Sequence, residues 1–394
     1  MRTLRNFVKF FVPVCLLFFS LTHLNANSDE KKDSEDKKDG FQFTPVIELQ
    51  CTPVKNQART GTCWSFATTS FVEAELMRMK KGSLDLSEMF NVRHTYPLKA
   101  RNYVRLHGNA TLGQGSLFQD ALRVISQQGF VPESAYSGQV IDEKHHNHSE
   151  LFTGLNGFLD SIIKTRKLTP VWPQAVESLL DTYLGPLPGE FTYEGKKYTA
   201  KSFAEKTGFN PGDYVELTSY THHPFYSQFA LEIPDNWARN QSHNVPLDEL
   251  VDVLENALER GYTVGWDGDT SERSFIHKKG VAFLPLKEWD DRTKEERNTI
   301  GDAPEAEKDV TQSMRQRYFD NYTSKDDHLM HITGIAKDQN GTKYYITKNS
   351  WGEKESKYDG FLHMSESYVR AKTVSILVHK DAIPDNLMKK LNFK

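Results

Sequence analysis

Cysteine is nearly absent: 394 residues carry 3, and one of them, Cys15, falls in an N-terminal apolar run. Cys51 and Cys63 remain, too few for the disulfide framework that holds small secreted domains together. No sign of charge prevails. Lysine and arginine number 49 against 53 acidic residues, a formal net charge of -4, so no basic surplus argues for nucleic acid. Membrane-length hydrophobic runs are missing too. The apolar stretch from Phe10 to Leu21 is too short, and too soon followed by polar residues, to span a bilayer comfortably. There is no repeat of about twenty residues or more. The absence of a P-loop and of a dinucleotide fingerprint removes the usual signatures of nucleotide-dependent chemistry. With 38% hydrophobic residues the chain has enough apolar side chains for a core of its size.

The first residues read as targeting. Arg2, Arg5 and Lys9 precede the apolar stretch, and Leu24-Asn25-Ala26 offers a small residue for cleavage. Residues 1–26 are therefore expected to be a signal peptide, and the protein to be exported to the periplasm or secreted, with no membrane attachment after cleavage. Residues 27–40 are a run of Asp, Glu and Lys with too little apolar surface to fold, which predicts a solvated, disordered tail.

Against this background one segment stands out: Pro53-Val54-Lys55-Asn56-Gln57-Ala58-Arg59-Thr60-Gly61-Thr62-Cys63-Trp64-Ser65-Phe66-Ala67. Asn56 to Thr62 is polar and turn-forming, with Gly61 free in its backbone angles. From Trp64 to Met79 apolar residues recur at spacings near three and four, the pattern of a buried helix. Cys63 thus sits in a first helical turn, where unpaired N–H groups and the positive end of the macrodipole favour thiolate. Gln57, on the loop feeding the helix, could turn its amide toward an oxyanion beside the sulfur. An ordinary buried cysteine fits Cys63 equally well until a base is found.

Two distant segments could supply that base. Asp326-Asp327-His328-Leu329-Met330-His331-Ile332-Thr333-Gly334-Ile335-Ala336 and Lys343-Tyr344-Tyr345-Ile346-Thr347-Lys348-Asn349-Ser350-Trp351-Gly352 flank an Asn340-Gly341 turn. The pattern predicts a hairpin that brings His328 beside Asn349. The Asn349 carbonyl would accept from Nδ1–H of the imidazole and leave Nε2 for the thiol. Trp351 would cover that hydrogen bond.

These three stretches resemble the papain-type cysteine peptidases, whose oxyanion Gln, nucleophilic Cys, base His and orienting Asn match Gln57, Cys63, His328 and Asn349. The family's step from its His to a Gly six residues on selects His328 with Gly334. His331 would point to the opposite face of the strand as a structural or solvent-facing histidine. The resemblance implies an α+β papain-like fold: a helical half with a central catalytic helix, packed on an antiparallel β half. Catalytic segments at both ends of residues 41–394 imply one peptidase domain with an insertion at about 140–316. Blocks such as Tyr193-Glu194-Gly195-Lys196-Lys197-Tyr198 and Asp213-Tyr214-Val215-Glu216-Leu217-Thr218 are similar to the bleomycin hydrolase and aminopeptidase C branch. Thr60, standing where exported papains carry a disulfide cysteine, agrees. That branch implies peptide substrates, aminopeptidase action, no cofactor, a homo-oligomer such as a hexamer, and a C-terminal tail lying in the cleft. Asp385 to Lys394 is long enough to be that tail. Endopeptidase action and a catalytically inactive binding module are the alternatives.

The resemblance also places Gly115 and Ser116, before the helical stretch Leu117 to Gln127, along the cleft as substrate-binding residues; a helix cap by Ser116 is the competing role. No metal is expected. His145-His146-x-His148 reads as solvated loop histidines, and His222-His223 as structural. Cys51 is expected to be free and buried, and Asp326-Asp327 to favour imidazolium at His328.

Overall fold

The computed structural model describes residues 40–141, 145–165 and 167–393. The expected signal peptide and all of the expected tail but Gly40 lie outside the described residues. Strand β1 (Thr44–Glu48) is followed by five helices: α1 (Cys63–Arg78), α2 (Glu88–Arg105), α3 (Phe118–Gln128), α4 (Ser149–Ile162) and α5 (Trp172–Leu184). A hairpin of β2 (Phe191–Tyr193) and β3 (Lys196–Tyr198) leads to α6 (Ala200–Thr207). Then come β4 (Tyr214–Thr218), β5 (Gln228–Ala230), β6 (Gln241–Asn244), α7 (Leu247–Glu259), β7 (Val264–Gly268), β8 (Phe275–Ile276) and β9 (Val281–Ala282). Helices α8 (Lys294–Asn298) and α9 (Gln312–Asp320) precede β10 (His328–Lys337), β11 (Lys343–Lys348) and β12 (Phe361–Ser365). Helix α10 (Glu366–Lys372), β13 (Thr373–His379) and α11 (Asp385–Lys390) complete the order.

The main sheet runs β5-β6-β4-β13-β7-β10-β11-β12-β9-β8, with β1 paired to β10 beside β7. Its pairs are antiparallel except β4 with β6 and β12 with β9. Side chains alternate across it, so each strand serves two cores. Leu329 and Leu377 face α1, α2 and α3. Their neighbours Met330, Ile376 and Val378 pack with Leu250, Val253 and Leu254 of α7 on the other face. Helix α1 has buried residues from Cys63 through Leu76, which is what its near-unbroken run of apolar and small residues requires. This is the α+β papain-like arrangement expected from the sequence.

The β10–β11 hairpin forms in the register that pairs His331 with Lys348 and Lys337 with Lys343. Its turn is locked by Asp338, whose Oδ1 accepts from the N–H groups of Asn340 (2.9 Å) and Thr342 (2.8 Å). Gly341 takes φ +84°, the left-handed region that glycine adopts without strain. The middle of the chain does not stand apart as the expected insertion would: β7, from inside residues 140–316, lies between β13 and β10 at the sheet's centre.

On one edge of β10 the partner changes along its length. Strand β7 pairs with His328 to Ile332, and β1 with Gly334 to Lys337. A Cβ on Gly334 would lie 2.1 Å from the Ile47 carbonyl, so only glycine admits β1 at this point. Gly334→Ala should destabilise the protein by about 1–3 kcal/mol, seen as a lower denaturant midpoint. The control is Gly157→Ala on the exposed face of α4, where an added Cβ meets nothing within 4 Å; it should stabilise by about 0.5–1 kcal/mol.

Candidate active site

Cys63 is the first residue of α1, with Thr62 at the cap position. A helix start leaves backbone N–H groups without intrahelical partners, and that of Cys63 is one of them. The sulfur is buried and receives a hydrogen bond from the Leu329 N–H on β10. The preceding loop is held without a disulfide. Thr60 donates its hydroxyl to the Gln57 carbonyl at 2.8 Å and lies 2.5 Å from the Thr62 hydroxyl. Gln57 ties this loop to the β half: its N–H donates to the Ser350 carbonyl (2.8 Å), and its Oε1 accepts from Ser350 Oγ (2.6 Å). Its Nε2 donates one hydrogen to the Thr60 carbonyl at 2.8 Å, which leaves a second N–H for another acceptor.

Across the hairpin, His328 Nε2 stands 2.7 Å from Asn349 Oδ1. This corrects the expected ring orientation. Asn349 lies past the end of the neighbouring strand, so the far nitrogen of the imidazole reaches it, and Nδ1 is the one that Asn349 leaves unengaged. The amide orientation is fixed twice more. Asn349 Oδ1 also accepts from the Ser350 N–H at 2.7 Å, and its Nδ2 lies 3.4 Å from Nδ1 of His277. With Oδ1 taken as acceptor, His328 carries its proton on Nε2 in the neutral ring. The Trp351 ring covers both histidines, at 4.9 Å from His328 and 4.9 Å from His277 between ring centres.

Burial governs the ionisation here. It pushes the Cys63 thiol up to about 12, with Asp326, Asp235 and Asp267 adding to the rise and the Leu329 N–H opposing it. It brings His328 down to about 4 despite the Asn349 hydrogen bond. The expectation that Asp326 and Asp327 would favour imidazolium is not met. Burial raises Asp326 to about 7 and Asp327 to about 6, so they give His328 less charge than their sequence suggests. Either ion alone is disfavoured by this burial.

Gln57, Cys63, His328, Asn349 and Trp351 are thus brought to one place. Gly115 also borders it, next to Gln114, which is bonded to Gly61 and Trp64. Ser116 is otherwise engaged: it is buried, donates to Asp120 Oδ2 at 2.5 Å and accepts from Trp237 Nε1 at 2.8 Å. It is not the helix cap, which is Leu117. His331 is fully buried on the α1 side, with Nδ1 2.9 Å from Ser70 Oγ. Cys51 is free but only half-buried. His148 is not a solvated loop residue. It is buried, its Nδ1 lies 3.2 Å from the Tyr96 hydroxyl, and its N–H donates to Arg59 at 3.2 Å, because the turn before α4 supports the Cys63 loop. His222 and His223 bond the two oxygens of Glu232 at 3.0 and 2.7 Å; these three could in principle hold a cation. The described part of the C-terminal tail, to Phe393, is not in the cleft. Leu387 and Leu391 pack in the core on the sheet face away from α1, and Phe393 meets the His243 ring edge to face, 4.6 Å between centres. No described helix is long and apolar enough to cross a membrane.

Ser350 and His277 escaped the sequence reading as site residues. Ser350 stands beside Asn349 in the same motif and could have been found there. His277 lies in an unrelated segment with no local pattern to mark it.

Residues 189–394 match the model of the Peptidase C1-like family, and residues 47–153 match that of the Papain family cysteine protease. Aminopeptidase C of Lactobacillus helveticus is 27% identical over 95% of this chain and 90% of its own length. Aminopeptidase E of the same organism is 24% identical over 86% and 83%. Cysteine proteinase 1, mitochondrial, of Saccharomyces cerevisiae is 24% identical over 93% and 83%. A crystal structure of PepW from Lactobacillus rhamnosis superposes with TM-score 0.70 at 19% identity, covering 89% of this chain and 84% of that one.

The neutral imidazole has a measurable consequence. Folded His328 takes its proton near pH 4 and the unfolded chain near 6.5, so the folded state binds fewer protons between these values. Stability contributed by the neutral ring is therefore lost as pH falls through that window. In a histidine NMR titration, His328→Gln should remove a resonance titrating near 4 and should lessen the loss of stability on acidification. A removed resonance near 6.5 would contradict the burial argument.

Proposed function

The chain belongs to the Peptidase C1-like family and is a cysteine peptidase, and from this premise we propose that Cys63 is its nucleophile, His328 its acid and base, and Asn349 the residue that orients His328. What carries the reading is one contact, His328 Nε2 with Asn349 Oδ1 at 2.7 Å, formed beside a sulfur bonded by the N–H of the next residue, Leu329.

The sequence of events follows from the geometry. Cys63 gives its proton to His328 Nδ1, and the thiolate attacks the peptide carbonyl. The charge that develops on the carbonyl oxygen is met by the free N–H of Gln57 Nε2 and the Cys63 N–H. His328 passes its proton to the leaving amine, and the C–N bond breaks to leave a thioester. A water then gives a proton to His328 and attacks the thioester; the thiol is restored and the acid released. Trp351 keeps bulk water from the His328–Asn349 bond.

We read the activity as aminopeptidase action, in keeping with the relatives named aminopeptidases C and E. Endopeptidase action is the second reading, and the position of the tail on the far face of the sheet is what favours it. Sequencing the products of a peptide mixture separates the two: single residues released from free amino ends against internal cuts. Residues 1–26 are taken as an export signal, to be checked by N-terminal sequencing of protein recovered outside the cytoplasm. An uncleaved N-terminus found only inside would refute export. Association into a homo-oligomer such as a hexamer belongs to the same reading and is measured by light scattering.

Cys63→Ala should abolish peptide turnover with thermal unfolding retained; turnover comparable to the parent would refute the assignment. Gln57→Ala should lower kcat by about 10²–10³. Ser350→Ala, which removes the 2.6 Å bond to Gln57 Oε1, should lower kcat by about fivefold with KM little changed.

A further inference from the structure

One side of the cleft is walled by Gly113 to Ser116. Gln114 is fastened on both flanks of Cys63, its Oε1 accepting from the Gly61 N–H at 2.8 Å and its carbonyl from Trp64 Nε1 at 3.0 Å. Gly115 comes next and faces a loop from the middle of the chain, residues 231–240. That loop is folded on itself, Asn236 Nδ2 donating to the carbonyls of Leu231 and Asn240, each at 3.0 Å. It is clipped to the wall by Trp237 Nε1, which donates to Ser116 Oγ at 2.8 Å. Between these ties sits Asp235. Its Oδ2 lies 1.8 Å from where a Cβ on Gly115 would be, so the missing side chain of Gly115 is what lets the carboxylate in.

Chemistry decides which part of a bound peptide meets this wall. His328 must protonate the leaving amine, so the carboxyl-terminal part of the substrate lies on the β half. The acyl part, with its amino end, then lies across Cys63 on the helical half, toward Gly61, Trp64, Gln114 and Gly115. We propose that Asp235 closes this side of the cleft and receives the α-ammonium group of the substrate, so that the enzyme selects peptides with a free amino terminus. The proposal rests on the aminopeptidase reading and supplies the residue that reading lacks, since the described tail is on the other face of the sheet. Charge agrees with position. Burial raises the Asp235 carboxyl above its ordinary range, a cost that the nearby Lys99 reduces without removing. Lys99 itself donates to the Gly115 carbonyl. An incoming ammonium would add the positive charge this carboxylate is short of, in a charge-assisted hydrogen bond.

The test compares aminoacyl-aminomethylcoumarins with their N-acetyl counterparts, on parent and Asp235→Asn proteins. Stoichiometric alkylation of Cys63, mapped by peptide analysis, shows that each site is intact. The parent should prefer the free amine, and Asp235→Asn should lower the ratio of kcat/KM for free over blocked substrates by about ten- to a hundredfold, mainly through KM. Asp235→Ser takes its place if the Asn variant does not fold. An alkylatable variant that keeps the parent's ratio overturns the role of Asp235 and leaves the aminopeptidase reading standing. A parent with no preference for free amines overturns both.

Discussion

Everything in this protein meets on β10. It is buried along its length up to Lys337, so each of its backbone groups needs a partner, and β7, β1 and β11 supply them. Because its side chains alternate, the same strand gives Leu329 to the core under α1 and Met330 to the core under α7. His328, its first residue, is thereby placed against Asn349 on one side and next to the residue that bonds Cys63 on the other. A slip of one position in this register would exchange the two faces and dismantle the site together with both cores.

The site is assembled by ties between halves rather than within one. Gln57, on the loop before α1, is bonded twice to Ser350, beyond β11. One backbone bond and one hydroxyl bond to Ser350 therefore hold this loop, and the free Cys51 and Cys63 form no disulfide there. Burial then sets the chemistry. It opposes both thiolate at Cys63 and imidazolium at His328, while the Leu329 N–H and the helix start act against that cost at the sulfur. The second layer follows the same logic: His277 beneath Trp351 holds the Asn349 amide from the far side.

Legibility in the sequence followed the range of the interaction. Turn chemistry is local, so Asn340-Gly341 predicted the hairpin, and the polar loop ahead of an apolar helix predicted where Cys63 sits. The ring nitrogen facing Asn349 was not legible, because it depends on how far one strand end overhangs the next. His148 looked like one of three polar loop histidines, yet contacts with Tyr96 and the Arg59 backbone, distant in sequence, bury it. The reading of residues 140–316 as an insertion leaves out that β7 lies near the sheet's centre; a five-residue strand, Val264-Gly265-Trp266-Asp267-Gly268, carries no mark of its pairing partners.

By itself the sequence determined the residue types and their local settings: a thiol at a helix start, a histidine opening a strand, an asparagine closing the next, and a family resemblance built on those three. Short-range forces set such features, and short-range patterns reveal them. Only the tertiary structure decided which ionisations burial opposes, which ring nitrogen of His328 meets Asn349, where the described part of the tail lies and what faces Gly115. Those outcomes depend on burial and on contacts between segments hundreds of residues apart, such as Gln57 with Ser350. Folding brings them together, and no local pattern encodes them.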